Sequence, residues 1–305
     1  MGIIDNSQLL EPAVAMRPEK IKVFGHRGAS AYRPENTLEA FKLAFDMGAD
    51  AIECDLVPTK DGQLIIRHDN YLSTTTDVAS RPEFEHLKRE GIVGWQETRA
   101  DWFCEDFTLA ELKQLRATER LTDERPGSAK FDGQFELATL DELLTSDFTA
   151  GKHLILEVKH GAYFAAQGFP ISAILARKLR EIDWRSHGIT LTLESFDFKV
   201  LEQMKKVCGD VGEYVFLVDT WGEPRFDETA KIFDGISFNS VLVFNSDWIE
   251  EAKARGLKVF VWTARAEDAE ASTDEYFAKF ALCGADGVFT DNPDLLVEVV
   301  AGLEH

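Results

Sequence analysis

Short apolar runs alternate with amphipathic stretches along most of the 305-residue chain. Apolar runs of this length are typical of strands buried in a parallel sheet. They predict eight strands, at residues 22–25, 51–57, 153–159, 189–194, 214–218, 235–239, 258–263 and 287–290. The amphipathic stretches predict helices at residues 36–47, 140–146, 171–181, 196–207, 223–232, 247–255, 274–283 and 293–300. Capping boxes mark three helix starts, at 36–39, 108–111 and 139–142.

Each predicted strand is followed by a predicted helix when residues 70–135 are set aside. Eight such units in succession predict a (β/α)8 TIM barrel of the α/β class. An open, doubly wound sheet is less favoured, because the first strand is not followed by the GxGxxG turn of that fold. Without residues 70–135 the chain keeps about 240 residues, close to the ~250 that are typical of such barrels. We expect one barrel domain over residues 20–302.

The regular alternation stops between residues 70 and 135. This segment is too long for an ordinary connection between a strand and a helix. Its aromatic residues indicate packing rather than an exposed loop; among them are Trp95, Trp102, Phe103 and Phe107. We predict a small subdomain at 70–135, inserted between the second strand and the following helix. Because the segment begins directly after His68 and Asp69, we expect it to lie over the carboxyl ends of the strands.

The second predicted strand carries two carboxylates on one face. Side chains two residues apart on a strand point the same way, so Glu53 and Asp55 lie together while Cys54 faces the other side. Two carboxylates within an apolar strand are energetically costly unless they are paired or bind a cation. A solvated edge strand is the alternative, which the apolar neighbours Ile52 and Leu56 disfavour. The pattern therefore predicts a site for a hard metal ion.

Two histidines flank this strand in the sequence. His26 directly follows the first strand, and His68 ends the hairpin predicted by the turn residues 60–62. Both lie at the carboxyl ends of strands, where barrel enzymes place their chemistry. Because the ordinary pKa of histidine is close to neutral, the two are suited to general acid and base catalysis. Arg27 adds a planar fork of donors that matches phosphate oxygens.

Composition and charge exclude several classes of partner. The chain has 54 acidic and 33 basic residues, a formal net charge of −21, and a field of that sign disfavours nucleic acid and anionic membranes. No apolar run approaches the ~20 residues of a membrane span, so stable membrane insertion is not expected. The four cysteines are widely spaced and form no CxxC pair, which argues against structural zinc and a disulfide framework.

The two ends of the sequence bear on its location. The start has neither the basic region nor the apolar core of a signal peptide, so the sequence as it stands predicts a cytoplasmic protein. An extracytoplasmic location stays open if the natural chain begins earlier. The ending Leu303-Glu304-His305 resembles the start of a purification tag, and we set residues 303–305 aside as its remnant.

Five short motifs follow one another within 46 residues. They are His26-Arg27-Gly28, Pro34-Glu35-Asn36-Thr37, Glu53-x-Asp55, Thr59-Lys60-Asp61-Gly62 and His68-Asp69. In this order and spacing they resemble the glycerophosphodiester phosphodiesterase family. Later pieces that resemble the same family are Ser195-Phe196-Asp197, Val261-Trp262-Thr263, Gly284-Ala285-Asp286-Gly287 and Thr290-Asp291-Asn292-Pro293. The chain departs from the family at Arg265, where the family often has asparagine.

The resemblance implies a metal site and an acid–base pair. Glu53, Asp55 and Glu157 would hold one divalent cation. Ligation by oxygen atoms alone favours Mg²⁺ or Ca²⁺ over zinc or copper. His26 and His68 would be the catalytic acid and base.

The resemblance also implies a substrate pocket. Lys159, which shares a strand face with Glu157, would bind the phosphate together with Arg27. An ion pair between Glu157 and Lys159 is the simpler alternative. Trp262 would wall the pocket, unless its ring only packs inside the barrel.

The implied activity is hydrolysis of small glycerophosphodiesters to glycerol 3-phosphate and an alcohol such as choline or ethanolamine. One alternative on the same barrel is a phospholipase D acting on lysophospholipids, which would need an exposed apolar rim built from Trp95, Trp102 and Phe103. A second alternative is a non-catalytic phosphate-binding protein. The presence of both histidines disfavours it, because binding alone needs no proton transfer.

Overall fold

Eight parallel strands form a closed barrel in the computed structural model, which describes residues 20–94, 97–220 and 222–303. The strands in these residues are β1 (Lys22–Gly25), β2 (Ala51–Pro58), β3 (Leu64–Ile66), β4 (Arg89–Val93), β5 (Glu97–Asp101), β6 (His153–Val158), β7 (Thr190–Ser195), β8 (Glu213–Val218), β9 (Gly235–Asn239), β10 (Lys258–Ala264) and β11 (Gly287–Thr290). The barrel order is β1-β11-β10-β9-β8-β7-β6-β2, and β1 pairs with β2 to close the ring. The predicted (β/α)8 TIM barrel is confirmed.

Helices connect the successive barrel strands. Those in the described residues are α1 (Leu38–Asp46), α2 (Leu109–Leu112), α3 (Pro126–Ala129), α4 (Leu140–Thr145), α5 (Gly161–Ala166), α6 (Ile171–Glu181), α7 (Phe198–Cys208), α8 (Phe226–Ile232), α9 (Ser240–Val243), α10 (Trp248–Lys253), α11 (Thr273–Ala281) and α12 (Pro293–Gly302). All eight predicted strands and all eight predicted helices are present, and their ends differ from the predicted ends by no more than three residues.

One of the three predicted capping boxes is wrong. The sequence pattern makes Asn36 the N-cap of α1, but the helix is capped by Thr37, whose hydroxyl accepts the N–H of Ala40 at 3.2 Å. Asn36 instead has a φ of +60°, a conformation that asparagine tolerates better than most residues. Its side chain bonds to Asp55 of β2. The capping boxes of α2 and α4 are formed as predicted.

Aromatic side chains fill the lumen of the barrel toward the amino ends of the strands. Phe24, Phe260 and Phe289 meet edge to face, with ring centroids 5.0, 5.2 and 6.1 Å apart. Ala51 of β2 and Ile155 of β6 belong to the same buried cluster. Each of these two lies two residues before a glutamate of its strand. The polar site therefore lies directly above an apolar floor.

The residues that follow β3 pack around a second apolar cluster, which also includes Val57 of β2, Ile65 of β3 and Phe164 of α5. Here β4 and β5 form a two-stranded antiparallel sheet. Trp102 is only 4% exposed, and its indole N–H donates to the carbonyl of Phe84 at 2.7 Å. Phe103 is fully buried, with the guanidinium of Arg89 4.2 Å from its ring centroid. An exposed rim built from Trp102 and Phe103 is therefore wrong, because both rings are packed inside; Trp95 lies outside the described residues.

The same segment reaches the carboxyl ends of the barrel strands. Arg120 contacts Asp69, which follows β3, and Arg125 contacts Asp291, which follows β11. This end of a TIM barrel is the one that carries catalytic residues. Because most residues of this second cluster come from the segment, we propose residues 70–135 as a subdomain inserted into a barrel domain over residues 20–302.

Two further expectations concern membranes and the chain end. Among the helices of the described residues, none is both long enough and apolar enough to cross a membrane. Of the proposed tag remnant at 303–305, Glu304 and His305 lie outside the described residues.

Candidate active site

Three carboxylates converge on β2 and β6. Glu53, Asp55 and Glu157 are buried, and each offers an oxygen that lies within 4.8 Å of the others. The strand register brings them together, because Asp55 pairs with Glu157 while Glu53 shares a face with Asp55. One oxygen of each has no hydrogen-bond partner, namely Glu53 Oε1, Asp55 Oδ1 and Glu157 Oε1. This set of oxygen donors fits a hard divalent cation.

The electrostatics of the cluster also favour a cation. Burial raises the pKa of Glu53, and the charges of Asp55 and Glu157 raise it further. Burial raises the pKa of Glu157 to about 7, although Lys159 acts in the opposite direction. Burial alone would raise the pKa of Asp55 as well, but Lys159 and Arg27 hold it below its usual range. Three buried carboxylates that repel one another would all be stabilised by a divalent cation.

Lys159 and Arg27 pair with these carboxylates. Lys159 Nζ lies 2.7 Å from Glu157 Oε2 and 3.3 Å from Asp55 Oδ1. The ion pair between Glu157 and Lys159 is therefore present, and Glu157 belongs to the carboxylate cluster as well. Arg27 Nε lies 3.3 Å from Asp55 Oδ2, and the backbone N–H of Arg27 donates to Glu53 Oε2 at 2.9 Å. Both cationic side chains lie where they can meet a phosphate bound at the cluster.

The turn after β1 depends on Gly28. Its φ is +86°, and a Cβ at this position would lie 2.5 Å from the carbonyl carbon of Ala40 in α1. Only glycine fits this close approach. In this turn the backbone N–H of Arg27 donates to Glu53, and His26 directly follows the last residue of β1.

His26 is held between β1 and β11. Its backbone N–H donates to the carbonyl of Thr290 at 2.9 Å, and its Nδ1 lies 2.6 Å from Asp291 Oδ1. Burial and the charge of Arg27 lower the pKa of His26 to about 4, although Asp291 acts in the opposite direction. The imidazole is therefore neutral at pH 7. Because Nδ1 is bonded to Asp291, Nε2 is the nitrogen available for proton transfer.

His68 repeats this arrangement. Its Nδ1 lies 2.7 Å from Oδ1 of the neighbouring Asp69, and its side chain is 28% exposed. Burial, Arg27 and Lys159 lower the pKa of His68 well below its usual value. Each predicted catalytic histidine is thus an imidazole whose Nδ1 is held by a buried aspartate.

Trp262 lies on β10 and packs against the aromatic cluster in the lumen. Its ring meets that of Phe196 edge to face, with centroids 5.4 Å apart, and Lys159 Nζ lies 5.2 Å from the centroid of Phe196. The buried indole Nε1 has no hydrogen-bond partner. Trp262 therefore packs inside the barrel and also has a free hydrogen-bond donor. Its ring can still form a wall of the substrate pocket, as the sequence predicts.

Four residues of the sequence motifs contact the candidate residues, although sequence reasoning gives them no role. Asn36 bonds to Asp55, and Glu35 accepts from Arg27 Nη1 at 3.1 Å. The other two are the aspartates that hold the histidines. Because these four residues belong to the motifs, the sequence already indicates that they lie near the site.

Three more residues of the site lie outside the short motifs that suggest its position. Arg120 and Arg125 come from the segment 70–135, whose sequence has no clear periodicity. Glu194 of β7 is 2% exposed and stands in register with Glu157 of β6. The signal that could find Glu194 is a carboxylate within an apolar strand, the same signal that marks Glu53.

Known proteins are similar to this chain in sequence and in fold. A family model described as the glycerophosphoryl diester phosphodiesterase family matches residues 26–295. The glycerophosphodiester phosphodiesterase of Caldanaerobacter subterraneus subsp. tengcongensis is 29% identical, and the match covers 92% of this chain and 98% of that protein. The Haemophilus influenzae enzyme of the same name is 26% identical, over 95% of this chain and 92% of that protein.

A solved structure gives the same fold. It is that of an Oleispira antarctica phosphodiesterase in complex with the product sn-glycerol-3-phosphate. Its TM-score to this chain is 0.68 at 23% identity, and the match covers 92% of this chain and 97% of the other. With the family model matched over most of its length, the chain belongs to the glycerophosphoryl diester phosphodiesterase family.

Proposed function

We propose that this chain hydrolyses glycerophosphodiesters to glycerol 3-phosphate and an alcohol, using one divalent cation and two histidines. The observation that carries the proposal is a buried cluster of three carboxylates at the same end of the barrel as two histidines held by aspartates. Family membership makes the chain a phosphodiesterase. The names of its relatives support glycerophosphodiesters as substrates, and the product in the Oleispira antarctica structure supports glycerol 3-phosphate.

Glu53, Asp55 and Glu157 would hold the cation, Mg²⁺ or Ca²⁺. When bound, the cation supplies Lewis acidity and neutralises charge on a phosphoryl oxygen. Arg27 and Lys159 would donate to the non-bridging oxygens of the phosphodiester. Their donors then stabilise the negative charge that grows on these oxygens in the transition state.

His26 and His68 would transfer the protons. One takes a proton from the nucleophile, and the other gives a proton to the alcohol oxygen as its bond to phosphorus breaks. The nucleophile is water, or the neighbouring hydroxyl of the substrate by way of a cyclic phosphate. Both imidazoles are neutral at pH 7, so either can serve as the base. The negative charge of a bound phosphodiester would raise the pKa of the one that serves as the acid.

The two alternatives are less well supported. A phospholipase D acting on lysophospholipids needs an apolar rim for an acyl chain, but Trp102 and Phe103 are buried. A non-catalytic phosphate-binding protein has no use for two histidines whose Nδ1 atoms are both fixed by carboxylates. A short, polar glycerophosphodiester fits the site best.

Choline release tests the proposal directly. The purified chain is assayed on glycerophosphocholine and on lysophosphatidylcholine, each with Mg²⁺, with Ca²⁺ and with a chelator. We expect turnover of glycerophosphocholine that is faster than turnover of the lysolipid and that is lost with the chelator. Faster turnover of the lysolipid would favour the phospholipase alternative. Binding of glycerophosphocholine without turnover at saturating metal would favour the binding protein.

A further inference from the structure

Each of the two histidines is held by an aspartate, and each aspartate is held in turn by an arginine of the segment 70–135. We propose that these arginines, Arg120 and Arg125, position the imidazoles through the aspartates, so that the segment supplies part of the catalytic machinery. The proposal rests on the proposed function, because it takes the imidazoles to be the proton-transfer groups. It assigns the segment a role that is distinct from covering the substrate pocket.

On the side of His68, the guanidinium of Arg120 bonds to two carboxylates, Asp69 and Glu35. Arg120 Nη2 lies 2.8 Å from Asp69 Oδ2, while the other oxygen of Asp69 faces His68 Nδ1 at 2.7 Å. The same guanidinium donates two hydrogen bonds to Glu35, from Nε at 2.9 Å and from Nη2 at 2.8 Å. Glu35 also accepts from Arg27 at 3.1 and 3.2 Å. Arg120 therefore ties the aspartate behind His68 to the arginine predicted to bind phosphate.

On the side of His26, the arginine is almost completely buried. Arg125 has 6% of its side chain exposed, and its Nη2 lies 2.6 Å from Asp291 Oδ2 while His26 takes Oδ1. Its Nη1 donates to the carbonyl of Ser30 at 3.1 Å, and its Nε lies 2.6 Å from Glu267 Oε1. Partners after three different strands, β1, β10 and β11, thus fix the position of this guanidinium.

Asp291 and Asp69 differ in the partners that they keep when their arginine is removed. Arg265 Nε lies 2.9 Å from Asp291 Oδ2, so Asp291 keeps a cationic partner without Arg125. On the other side, Asp69 Oδ2 accepts from the neutral hydroxyl of Thr74 at 3.1 Å. Loss of Arg120 is therefore expected to disturb its histidine more than loss of Arg125.

The effect on catalysis follows from the chemistry of the imidazole. An ionised aspartate only accepts hydrogen bonds, so it keeps the proton of the neutral ring on Nδ1 and leaves the lone pair on Nε2. With both carboxylate oxygens bonded, the ring is also fixed in orientation. Without the arginine, the aspartate can turn or take up a proton, and the ring samples the other tautomer. Proton transfer depends on that geometry, whereas the cation would be bound by carboxylates that neither arginine contacts.

The alternative is that these buried ion pairs serve only to stabilise the fold, since removal of one partner of such a pair is strongly destabilising. Matched variants distinguish the two. Arg120→Gln and Arg125→Gln keep most of the side-chain length and remove the charge. Arg89→Gln is the control, because Arg89 belongs to the same segment and pairs with two carboxylates, Glu105 and Asp106, that do not contact the histidines.

The measurements are kcat and KM for glycerophosphocholine, the affinity for Mg²⁺, the Tm, and the tautomer of each ring. The tautomers are read from long-range proton–nitrogen NMR spectra of protein labelled with ¹⁵N-histidine. The signals of the two rings among the seven histidines are assigned by their loss in His26→Ala and His68→Ala.

We expect Arg120→Gln to lower kcat by ~10–100-fold, the same size of effect as the loss of a partner that orients a metal-bound imidazole. The loss of kcat should exceed the change in KM, which Arg120 affects only through Glu35 and Arg27. The Mg²⁺ affinity should change little, and the signal of His68 should move from one tautomer to a mixture. Free guanidinium ion should restore part of the activity of Arg120→Ala. Arg125→Gln should show the same changes at His26 to a smaller degree, and Arg89→Gln should lower the Tm alone.

Two results would overturn the proposal: an unchanged tautomer at His68 in Arg120→Gln, or an equal loss of kcat in Arg89→Gln. If Arg120→Gln does not fold, the tautomer of His68 is measured in the same way in Arg120→Lys and in Asp69→Asn. Absence of turnover in the unmodified protein would refute the proposed function instead. The tautomer measurement needs no turnover, so it still decides the positioning role.

Discussion

Asn36 and Asp55 hydrogen-bond to each other twice, although 19 residues separate them in the sequence. The side-chain amide of Asn36 donates to Asp55 Oδ2 at 2.8 Å, and the backbone N–H of Asp55 donates to Asn36 Oδ1 at 3.3 Å. With Oδ2 engaged in this way, Oδ1 is the oxygen that faces Lys159, at 3.3 Å, and that would be offered to the cation. The pair therefore links the turn before α1 to the orientation of a predicted metal ligand.

We expect Asn36→Gly to weaken metal binding more than it weakens folding. Glycine accepts the positive φ of this position, so the substitution removes only the side-chain bonds. Loss of a partner that orients a ligand typically costs ~10–100-fold in metal affinity, which titration with Mg²⁺ or Ca²⁺ would measure. Asn36→Ala should lose the same affinity and also show a lower Tm, because alanine is strained at positive φ. Wild-type affinity in Asn36→Gly would contradict a positioning role for Asn36.

An excess of metal should distinguish the predicted metal ligands from the predicted catalytic histidines. Glu157→Gln removes one of three anionic ligands and keeps the shape, so its activity should fall at limiting metal and recover in part at high metal. His26→Ala and His68→Ala should each lower kcat by at least ~10²-fold at every metal concentration. Activity assays across a metal titration check this, with Glu105→Gln as a control in the segment 70–135. Recovery of His68→Ala at high metal would show that this histidine acts on the metal site.

The double variant adds a second check. Residues that act as a unit in catalysis are not additive when both are removed. His26→Ala combined with His68→Ala should therefore lose less kcat than the product of the two single losses. A fully multiplicative loss would indicate that the two imidazoles act in independent steps.

The barrel and the pair of Glu53 and Asp55 can be predicted from the sequence because both have local signals, whereas Glu157 is added to that pair by the resemblance to the family. The apolar runs at 235–239 and 287–290 coincide with β9 and β11. The alternation of side chains along a strand places Glu53 beside Asp55. A local pattern predicts the wrong contact where one side chain has two possible partners. Asn36 stands where an N-cap is expected, but Thr37 can cap α1 in its place, which leaves the asparagine for Asp55.

The arginines behind the histidines cannot be predicted in this way. Arg120 bonds to Glu35 and Asp69, which are 85 and 51 residues away, and Arg125 bonds to Asp291, which is 166 residues away. Ion pairs across such distances leave no periodic pattern in the sequence. Arginine is usually exposed, so nothing at position 125 indicates a buried side chain.

Acid should destabilise the protein in part through His153, which is remote from the carboxylate cluster. Its Nε2 lies 2.9 Å from Thr192 Oγ1, and burial and the charge of Lys22 lower its pKa to about 4. In the unfolded chain a histidine titrates near pH 6.5. Between these two values the unfolded state binds a proton that the folded state does not. The free energy of unfolding therefore falls as the pH decreases through this window.

His153→Gln can still bond to Thr192 but does not titrate. Its free energy of unfolding should fall less than that of the wild type between about pH 6.5 and 4.5, with a difference on the order of 2 kcal/mol. Urea unfolding at several pH values would measure this difference. His187→Gln, at an exposed histidine, is the matched control. Identical pH dependence in His153→Gln and the wild type would contradict the contribution of His153.

Glu194→Gln should leave metal affinity almost unchanged, even though Glu194 stands in register with the predicted ligand Glu157. Glu194 is not among the three carboxylates whose oxygens lie within 4.8 Å of one another. Burial, and then the charge of Glu157, raises the pKa of Glu194 well above its usual value, which favours its neutral form. A protonated glutamate and a glutamine have the same charge and nearly the same shape. Titration with Mg²⁺ or Ca²⁺ at pH 7 should therefore give wild-type affinity for Glu194→Gln, as it should for the exposed control Glu202→Gln. If Glu194 is ionised when the cation binds, Glu194→Gln would instead weaken binding as strongly as Glu157→Gln does, and Glu194 would be a fourth carboxylate of the metal site.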